Sequence, residues 1–257
     1  MREILIAEVL KKSKEYVLTH PEIKLSPAQK KRLNKMETLI KKGLPLAYVL
    51  SYKWFYGHKI CVNKNVLIPR PETETLVDLA ISWAKQNKPK TIIDIGTGSG
   101  AIIVSLKRNI KTKAQFFGSD ISKKTLLVAK QNAKGLNISF KQGNLSSPFT
   151  KLLKKNFENV LITANLPYLE PKQLLEKSIL KEPRLALVGG KKGLEKIERL
   201  LKQLSKLNLK NSLILLEINY NQAKKLSSVI HKLMPKAKTT IHKDLALWDR
   251  IVEIKIK

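Results

Sequence analysis

The feature that most restricts this chain is Asp94-Ile95-Gly96-Thr97-Gly98-Ser99-Gly100, set between a β-branched run at 91–95 and an apolar helical run at 101–109. Glycines at alternate positions directly after a strand demand a tight turn, and they let the backbone approach a ligand more closely than a side chain would permit. The turn departs from G-x-G-x-x-G because its third glycine comes one residue early, and it lacks the Lys-Ser/Thr of a phosphate-binding P-loop. NAD and ATP are therefore not favoured as ligands.

Around this turn strand-like and helix-like segments alternate, the pattern of a parallel sheet with crossover helices. Further strands are predicted at 114–118, 138–140, 160–163 and 213–218, with helices at 122–134, 194–204 and 222–233. Segments 239–241 and 251–256 have no helix between them, so an antiparallel pair at the end of the sheet is expected. The fold class is thus α/β with seven strands. Ahead of it, Ile4, Leu5, Val9 and Leu10, then Leu33, Met36, Leu39 and Ile40, recur at helical spacing, punctuated by Pro21, Pro27 and Pro45. Aromatic and β-branched residues with Gly57, Asn63 and Asn65 as turn signals read as a hairpin linker before Pro69-Arg70-Pro71, which neither helix nor central strand accommodates. The expected division is 1–51, a helical N-terminal domain; 52–70, the hairpin linker; and 71–257, the main domain. Trp54, Phe55 and Tyr56 read as hairpin packing, and Trp83 and Trp248 as core.

Composition removes several classes. With 43% hydrophobic and 27% charged residues the chain is globular rather than disordered. No apolar run nears the ~20 residues of a membrane helix, and Glu3 and Glu8 interrupt any signal-peptide core, so a cytoplasmic location is expected. Cys61 is the only cysteine, and His20, His58, His231 and His242 show no ligand spacing, so no metal site is expected. The formal net charge of +30 invites an RNA or ribosome contact. Only seven of the fifty basic residues are arginines, however, and scattered lysines with abundant Asn and Ile fit genome composition equally well.

Parallel sheets bind ligands at the carboxyl ends of their strands. Asp94, Asp120, Asn144 and Asn165 each close a predicted strand, at successive steps of 26, 24 and 21 residues, about one strand-helix unit each. All can therefore line one crevice. An acid at the end of the second strand can accept hydrogen bonds from two ribose hydroxyls, and Asp120 is placed for that. Asn144 either meets an adenine edge or caps a turn. Asn165-Leu166-Pro167-Tyr168 could hold a planar amino group: the Asn165 oxygen and a neighbouring carbonyl would accept its N–H bonds, and Tyr168 would pack on the flat group. That is catalysis by positioning and oriented dipoles, not by a strong base.

Together with that turn, Ile68-Pro69-Arg70-Pro71-Glu72-Thr73-Glu74, Asp120-Ile121-Ser122, Asn165-Leu166-Pro167-Tyr168, Glu182-Pro183, Ala186-Leu187-Val188-Gly189-Gly190 and Leu216-Glu217-Ile218 resemble the HemK/PrmC family from about Glu3 to the C-terminus. The resemblance implies a Rossmann-like class I methyltransferase domain behind a small helical domain that helps hold the substrate. The implied reaction carries a methyl group from S-adenosylmethionine, leaving S-adenosylhomocysteine, to the glutamine of the Gly-Gly-Gln motif of peptide-chain release factors. It further implies donor contacts at Asp94, Gly96, Thr97, Gly98, Gly100, Asp120, Asn144 and Asn165. Asn165, the Leu166 carbonyl, Pro167 and Tyr168 would hold the glutamine amide, with Arg70, Pro71 and Glu74 at the lip. Pro71 and Glu74 suit a helix entry equally.

The sequence departs from the family where Leu166 replaces a proline, which should keep the carbonyl and loosen the loop, and where Asn144 replaces an acid. Asn-Leu-Pro-Tyr also occurs in rRNA adenine dimethyltransferases. Adenine N6 methylation of RNA or DNA, and a cofactor- or RNA-binding protein whose catalysis has decayed, are the alternatives.

Overall fold

The computed structural model describes residues 1–154, 157–173 and 179–257. Helices α1 (Arg2–Leu10), α2 (Lys14–Thr19), α3 (Pro27–Lys41) and α4 (Leu46–Leu50) open the chain. Helix α3 starts where local chemistry directs: Ser26 and Gln29 form a reciprocal capping box and Pro27 takes the first turn. The apolar faces of α1 and α3 meet through Leu5, Val9, Leu33 and Met36, a small core of their own.

Strands β1 (Tyr52–Phe55) and β2 (His58–Cys61) form an antiparallel hairpin. Its two turn residues, Tyr56 and Gly57, both have positive φ (49° and 71°), the turn that suits the natural strand twist. Strand alternation divides the aromatics that the sequence assigned to packing: Phe55 is buried at 1% while Trp54 is 61% exposed. A 3-10 turn at Pro71–Thr73 then leads into α5 (Glu74–Asn87).

From there the order is β3 (Thr91–Ile95), α6 (Ala101–Asn109), β4 (Gln115–Asp120), α7 (Lys123–Asn132), β5 (Ser139–Gln142) and α8 (Thr150–Lys154). It continues through β6 (Phe157–Glu158), β7 (Val160–Ala164), α9 (Arg184–Leu187), α10 (Glu195–Leu204), β8 (Leu209–Lys210) and β9 (Ser212–Glu217). Helix α11 (Ala223–Leu233), β10 (Lys238–Lys243) and β11 (Asp249–Ile256) complete the chain. Seven strands make one sheet in the order β10-β11-β9-β7-β3-β4-β5. The β3–β4, β4–β5, β3–β7 and β7–β9 pairs are parallel, and the expected antiparallel pairing of β10 with β11 is present at the end. Every residue of β3, β7 and β9 is buried, as expected of strands covered on both faces. Each apolar side chain there contributes about 1.5–3 kcal/mol.

The chain advances from β3 outward to β5 and then returns to the other side of β3 with β7. That reversal places a topological switch point between β3 and β7, where a crevice forms at the carboxyl edge. Some boundaries move: β4 runs to Asp120 and α7 stops at Asn132. The two-residue pair β6–β8 is too short to leave a periodic signal. Trp248, expected in the core, is 53% exposed and packs at a tilt against Tyr220, with ring centroids 4.8 Å apart. Among the described residues no helix is long and apolar enough to cross a membrane.

Candidate active site

A cavity of about 280 Å³ occupies the switch point, with Gly96, Thr97, Gly98, Asp120, Asn144 and Asn165 in its wall. Leu166, Pro167 and Arg70 line it as well, as do Val66 and Leu67. Asp120 ends β4 beside the glycine turn. Its Oδ2 accepts from the Gly98 N–H at 3.2 Å and its Oδ1 from the Ser122 N–H at 2.8 Å. A carboxylate has about four lone-pair sites, so acceptor capacity remains for a ligand hydroxyl. Burial raises the Asp120 pKa, and the N–H groups of Ser122, Gly98 and Ile121 act against the rise.

Gly96 has φ +72°, and a Cβ there would stand 2.7 Å from the Leu166 side chain. This position therefore requires glycine both for its conformation and for the close approach of the two loops. A Cβ on Gly98 would meet nothing nearer than 3.9 Å, so the turn leaves open space on its cavity side. These features fit S-adenosylmethionine: a glycine backbone for the methionine end, a carboxylate with free lone pairs for ribose hydroxyls, and Asn144 farther along the wall.

Two donor candidates lie elsewhere. Asp94 is 1% exposed beneath the turn, accepting from the Thr97 hydroxyl at 2.6 Å and the Thr163 hydroxyl at 2.8 Å. Burial pushes its pKa up to about 6, against the pull of those hydroxyls. It ties the turn to β7 rather than lining the cavity. Gly100 faces away too, since the space beside it is filled by Ala129 of α7 at 3.3 Å. A residue's distance from a strand end fixes its neighbourhood, but the path of the turn decides which face it presents.

On the other side of the cavity Asn165 Nδ2 donates to the Thr73 hydroxyl at 3.0 Å. The Leu166 side chain is 3% exposed and packs in the core, so the loop is anchored there, not loosened. Gly189 packs against this loop so closely that a Cβ would come 2.5 Å from the Pro167 carbonyl, which accounts for the first glycine after Val188. Tyr168 turns from the cavity: its hydroxyl donates to Glu217 Oε1 at 3.1 Å, and burial raises its pKa. Among the lip candidates, Arg70 lines the cavity and pairs with Glu182 at 2.6 Å. Pro71 instead starts the 3-10 turn at the helix entry, and Glu74 Oε1 accepts from the Tyr56 N–H at 2.8 Å, tying the start of α5 to the hairpin turn.

Sequence reasoning left out Thr73, Glu182, Lys196 and any role for Glu217. Lys196 lines the cavity and donates to the Leu185 carbonyl at 2.9 Å; burial lowers its pKa and Asp120 opposes the shift. A signal existed for Glu217, a lone acid at the end of an otherwise apolar strand. Thr73 had no signal apart from its place in the Pro-Arg-Pro-Glu-Thr-Glu run.

A methyltransferase domain family matches residues 86–252, and the PrmC N-terminal domain matches residues 2–50. Release factor glutamine methyltransferase of Bacillus cereus is 31% identical, covering 97% of this chain and 90% of that protein. The protein of the same name from Buchnera aphidicola is 33% identical, covering 90% and 82% respectively. Among solved structures, the N-terminal domain of human METTL16 in complex with SAH superposes with a TM-score of 0.55 at 16% identity, covering 79% of this chain and 77% of that one. The E. cuniculi Mtq2–Trm112 complex, responsible for methylation of the eRF1 translation termination factor, gives 0.51 at 16% identity, covering 75% and 99%. At such identities the two structures speak for the fold alone. The identity that extends through both the helical N-terminus and the sheet is what assigns the chain to the release factor glutamine methyltransferase family.

Proposed function

We infer that this chain is an S-adenosylmethionine-dependent methyltransferase whose acceptor is the side-chain amide nitrogen (N5) of the glutamine in the Gly-Gly-Gln motif of peptide-chain release factors. The observation that carries this is the likeness over nearly the whole chain to proteins named for that activity. The asparagine set across one cavity from a ribose-type carboxylate supports it.

Asp120, the glycine turn and Asn144 would hold the methyl donor, which would supply an electrophilic methyl group on a positively charged sulfur. The remaining task is orientation. An amide nitrogen is a poor nucleophile because its lone pair is delocalised, so it has to be held. The Asn165 oxygen and the Leu166 carbonyl accept its two N–H bonds, fixing the nitrogen toward the donor while Pro167 stiffens the loop. As the nitrogen takes the methyl group it gives up one of its two protons, which leaves to solvent; neither oxygen is a strong base, and rate comes from proximity and preset dipoles.

Residues 1–51 act as a docking domain, 52–70 as a linker and 71–257 as the catalytic domain. A second groove, bordered by Ile4, Glu8, Leu50, Tyr52 and Trp54, reaches Arg70 and suits the body of the release factor. Such a substrate places the enzyme in the cytoplasm, near ribosomes, where the +30 charge favours contact with RNA.

Purified protein, labelled donor and release factor test the reading: label enters the wild-type factor and is lost when the Gly-Gly-Gln glutamine is changed. Equal labelling of that variant rejects it, and label in nucleic acid instead returns the adenine reading. Turnover that falls steeply with salt supports the RNA contact, whereas a flat response removes it.

A further inference from the structure

The loop from Asp244 to Trp248, between β10 and β11, is rigidly built and displays side chains that a folded chain normally hides. Buried Asp244 accepts from the Ala246 and Trp248 N–H groups through Oδ1, both at 3.0 Å, and from Arg250 Nε through Oδ2 at 3.0 Å. The Asp244 N–H donates to the Trp248 carbonyl and the Leu247 N–H to the Asp244 carbonyl, both at 2.9 Å. Leu247 is held at φ +65°, a conformation that glycine or asparagine adopts at far lower cost. Burial of the side chain would offset that strain, yet Leu247 is 73% exposed and Leu245 beside it is fully exposed. The fold gains nothing from either side chain, so the strained leucine points to a role outside the molecule.

This loop stands on the carboxyl edge of the sheet, the edge that holds the cavity. Ile251 of β11 pairs with Glu217 of β9, Leu216 of β9 pairs with Ala164 of β7, and Ala164 immediately precedes Asn165. Two strand spacings therefore separate the loop from the acceptor side of the cavity, roughly 10 Å or about three residues of extended chain. Arg250 donates to the Ile218 carbonyl at 3.3 Å, fastening the loop to the end of β9. The connection after β9 is fastened to the acceptor loop in turn, since Gln222 Nε2 donates to the Tyr168 carbonyl at 3.0 Å while its Oε1 accepts from the Asn219 N–H at 3.0 Å. Tyr220, between those two residues, packs against Trp248 with ring centroids 4.8 Å apart. Among the described residues, four of the eleven exposed large apolar side chains, Tyr220, Leu245, Leu247 and Trp248, thus lie on two adjoining connections. That is a patch, not a scatter of single exposures.

We propose that Tyr220, Leu245, Leu247 and Trp248 form a docking shelf for the acceptor protein, receiving apolar side chains on the release-factor surface that flanks its Gly-Gly-Gln loop. This rests on the reading of the cavity as the glutamine site. Continuity identifies the occupant: the shelf and the acceptor loop are joined through Gln222, so a protein whose glutamine enters the cavity covers this edge as well. An aromatic pair supplies the kind of anchor that dominates binding between proteins, and a loop fixed before contact loses little freedom on docking. The shelf shares no residue with the groove bordered by Ile4, Glu8 and Trp54, so it is a second hold on the same substrate.

The test uses Leu247→Gly, Leu245→Ser and the double variant Leu245→Ser/Trp248→Ser in the full chain. The measurements are kcat and KM on intact release factor, donor affinity by calorimetry and the urea unfolding midpoint. Leu247→Gly relieves the backbone strain while removing the displayed side chain, so it keeps or raises the urea midpoint. It nevertheless raises KM by about 3–10-fold, as does Leu245→Ser. A role in the fold alone cannot move the two readings in these directions. The double variant raises KM by on the order of 10–100-fold, the usual result of removing an interface anchor. Its kcat at saturating release factor and its donor affinity stay within about threefold of wild type, because the shelf touches neither reacting group. If loss of Trp248 prevents folding, the two single variants at exposed leucines decide the matter. Unchanged KM in Leu247→Gly, or a urea midpoint that falls in that variant, overturns the proposal. So does self-association of the wild-type chain in sedimentation that Leu245→Ser abolishes with KM unchanged, which assigns the shelf to a second copy. Absence of glutamine-dependent labelling by the wild-type enzyme overturns the functional reading instead, so the two failures are distinct.

Discussion

The two walls of the cavity are built differently. On the wall proposed to hold the donor most hydrogen bonds span short stretches of chain, Thr97 to Asp94 over three residues, Ser122 to Asp120 over two and Gly98 to Asp120 over 22, with Thr163 to Asp94 across 69 as the exception. On the acceptor side Asn165 reaches Thr73 across 92 residues, Tyr168 reaches Glu217 across 49, and Arg70 reaches Glu182 across 112. On the roles proposed for the two walls, the donor wall is assembled mostly from neighbouring strand–helix units, whereas the acceptor wall exists only once residues 70–73, the loop after β7 and the end of β9 have come together.

The sharpest way to break this division is Asn165→Ala. Removing one oriented dipole at the reacting group should lower kcat by on the order of 10²–10³-fold. Calorimetry should find donor affinity changed less than about threefold; an equally large loss of donor binding would mean that the walls are not separate. Leu166→Ala attacks the point where they touch. It empties core volume beside Gly96 and should cost about 3 kcal/mol in urea unfolding, whereas a loss below about 1 kcal/mol would show the loop to be independent of the core.

Asp94 offers a comparison of similar size through pH. Its folded pKa, about 6, lies above the ordinary 3.8. The unfolded chain therefore releases this proton first, and the Asp94 contribution to stability falls as pH rises from about 4 to 6, by about 3 kcal/mol in total. Asp94→Asn removes that fall, so the stability of the variant relative to wild type should improve by this amount between pH 4 and 7. A difference that does not vary with pH would contradict it. Smaller again, Asp120→Asn should weaken donor binding about 10–100-fold, since hydrogen bonds to a charged acceptor contribute about 1.5–3 kcal/mol. KM for the release factor should hold, and a matching rise in KM would blur the two walls.

The same contrast explains what could be read from the residues in order. Strand–helix alternation and the spacing of Asp94, Asp120, Asn144 and Asn165 announced the sheet and its ligand edge, because those features recur within a single structural unit. The orientation of Asp94, Gly100 and Tyr168 was not legible, since it depends on the path a turn takes after its strand ends. Thr73 and Glu217 were hidden for another reason: each is ordinary in its own segment and becomes distinctive only through a partner far along the chain, Asn165 for Thr73 and Tyr168 for Glu217. Trp248 misled because aromatic character suggests burial, yet the β10–β11 connection leaves it on the surface against Tyr220.

Leu166 belongs at once to the cavity wall and to the hydrophobic interior. The chamber thus has no floor that can drop by itself, and any change of volume at position 166 reaches the interior of the protein at the same moment that it reshapes the cavity.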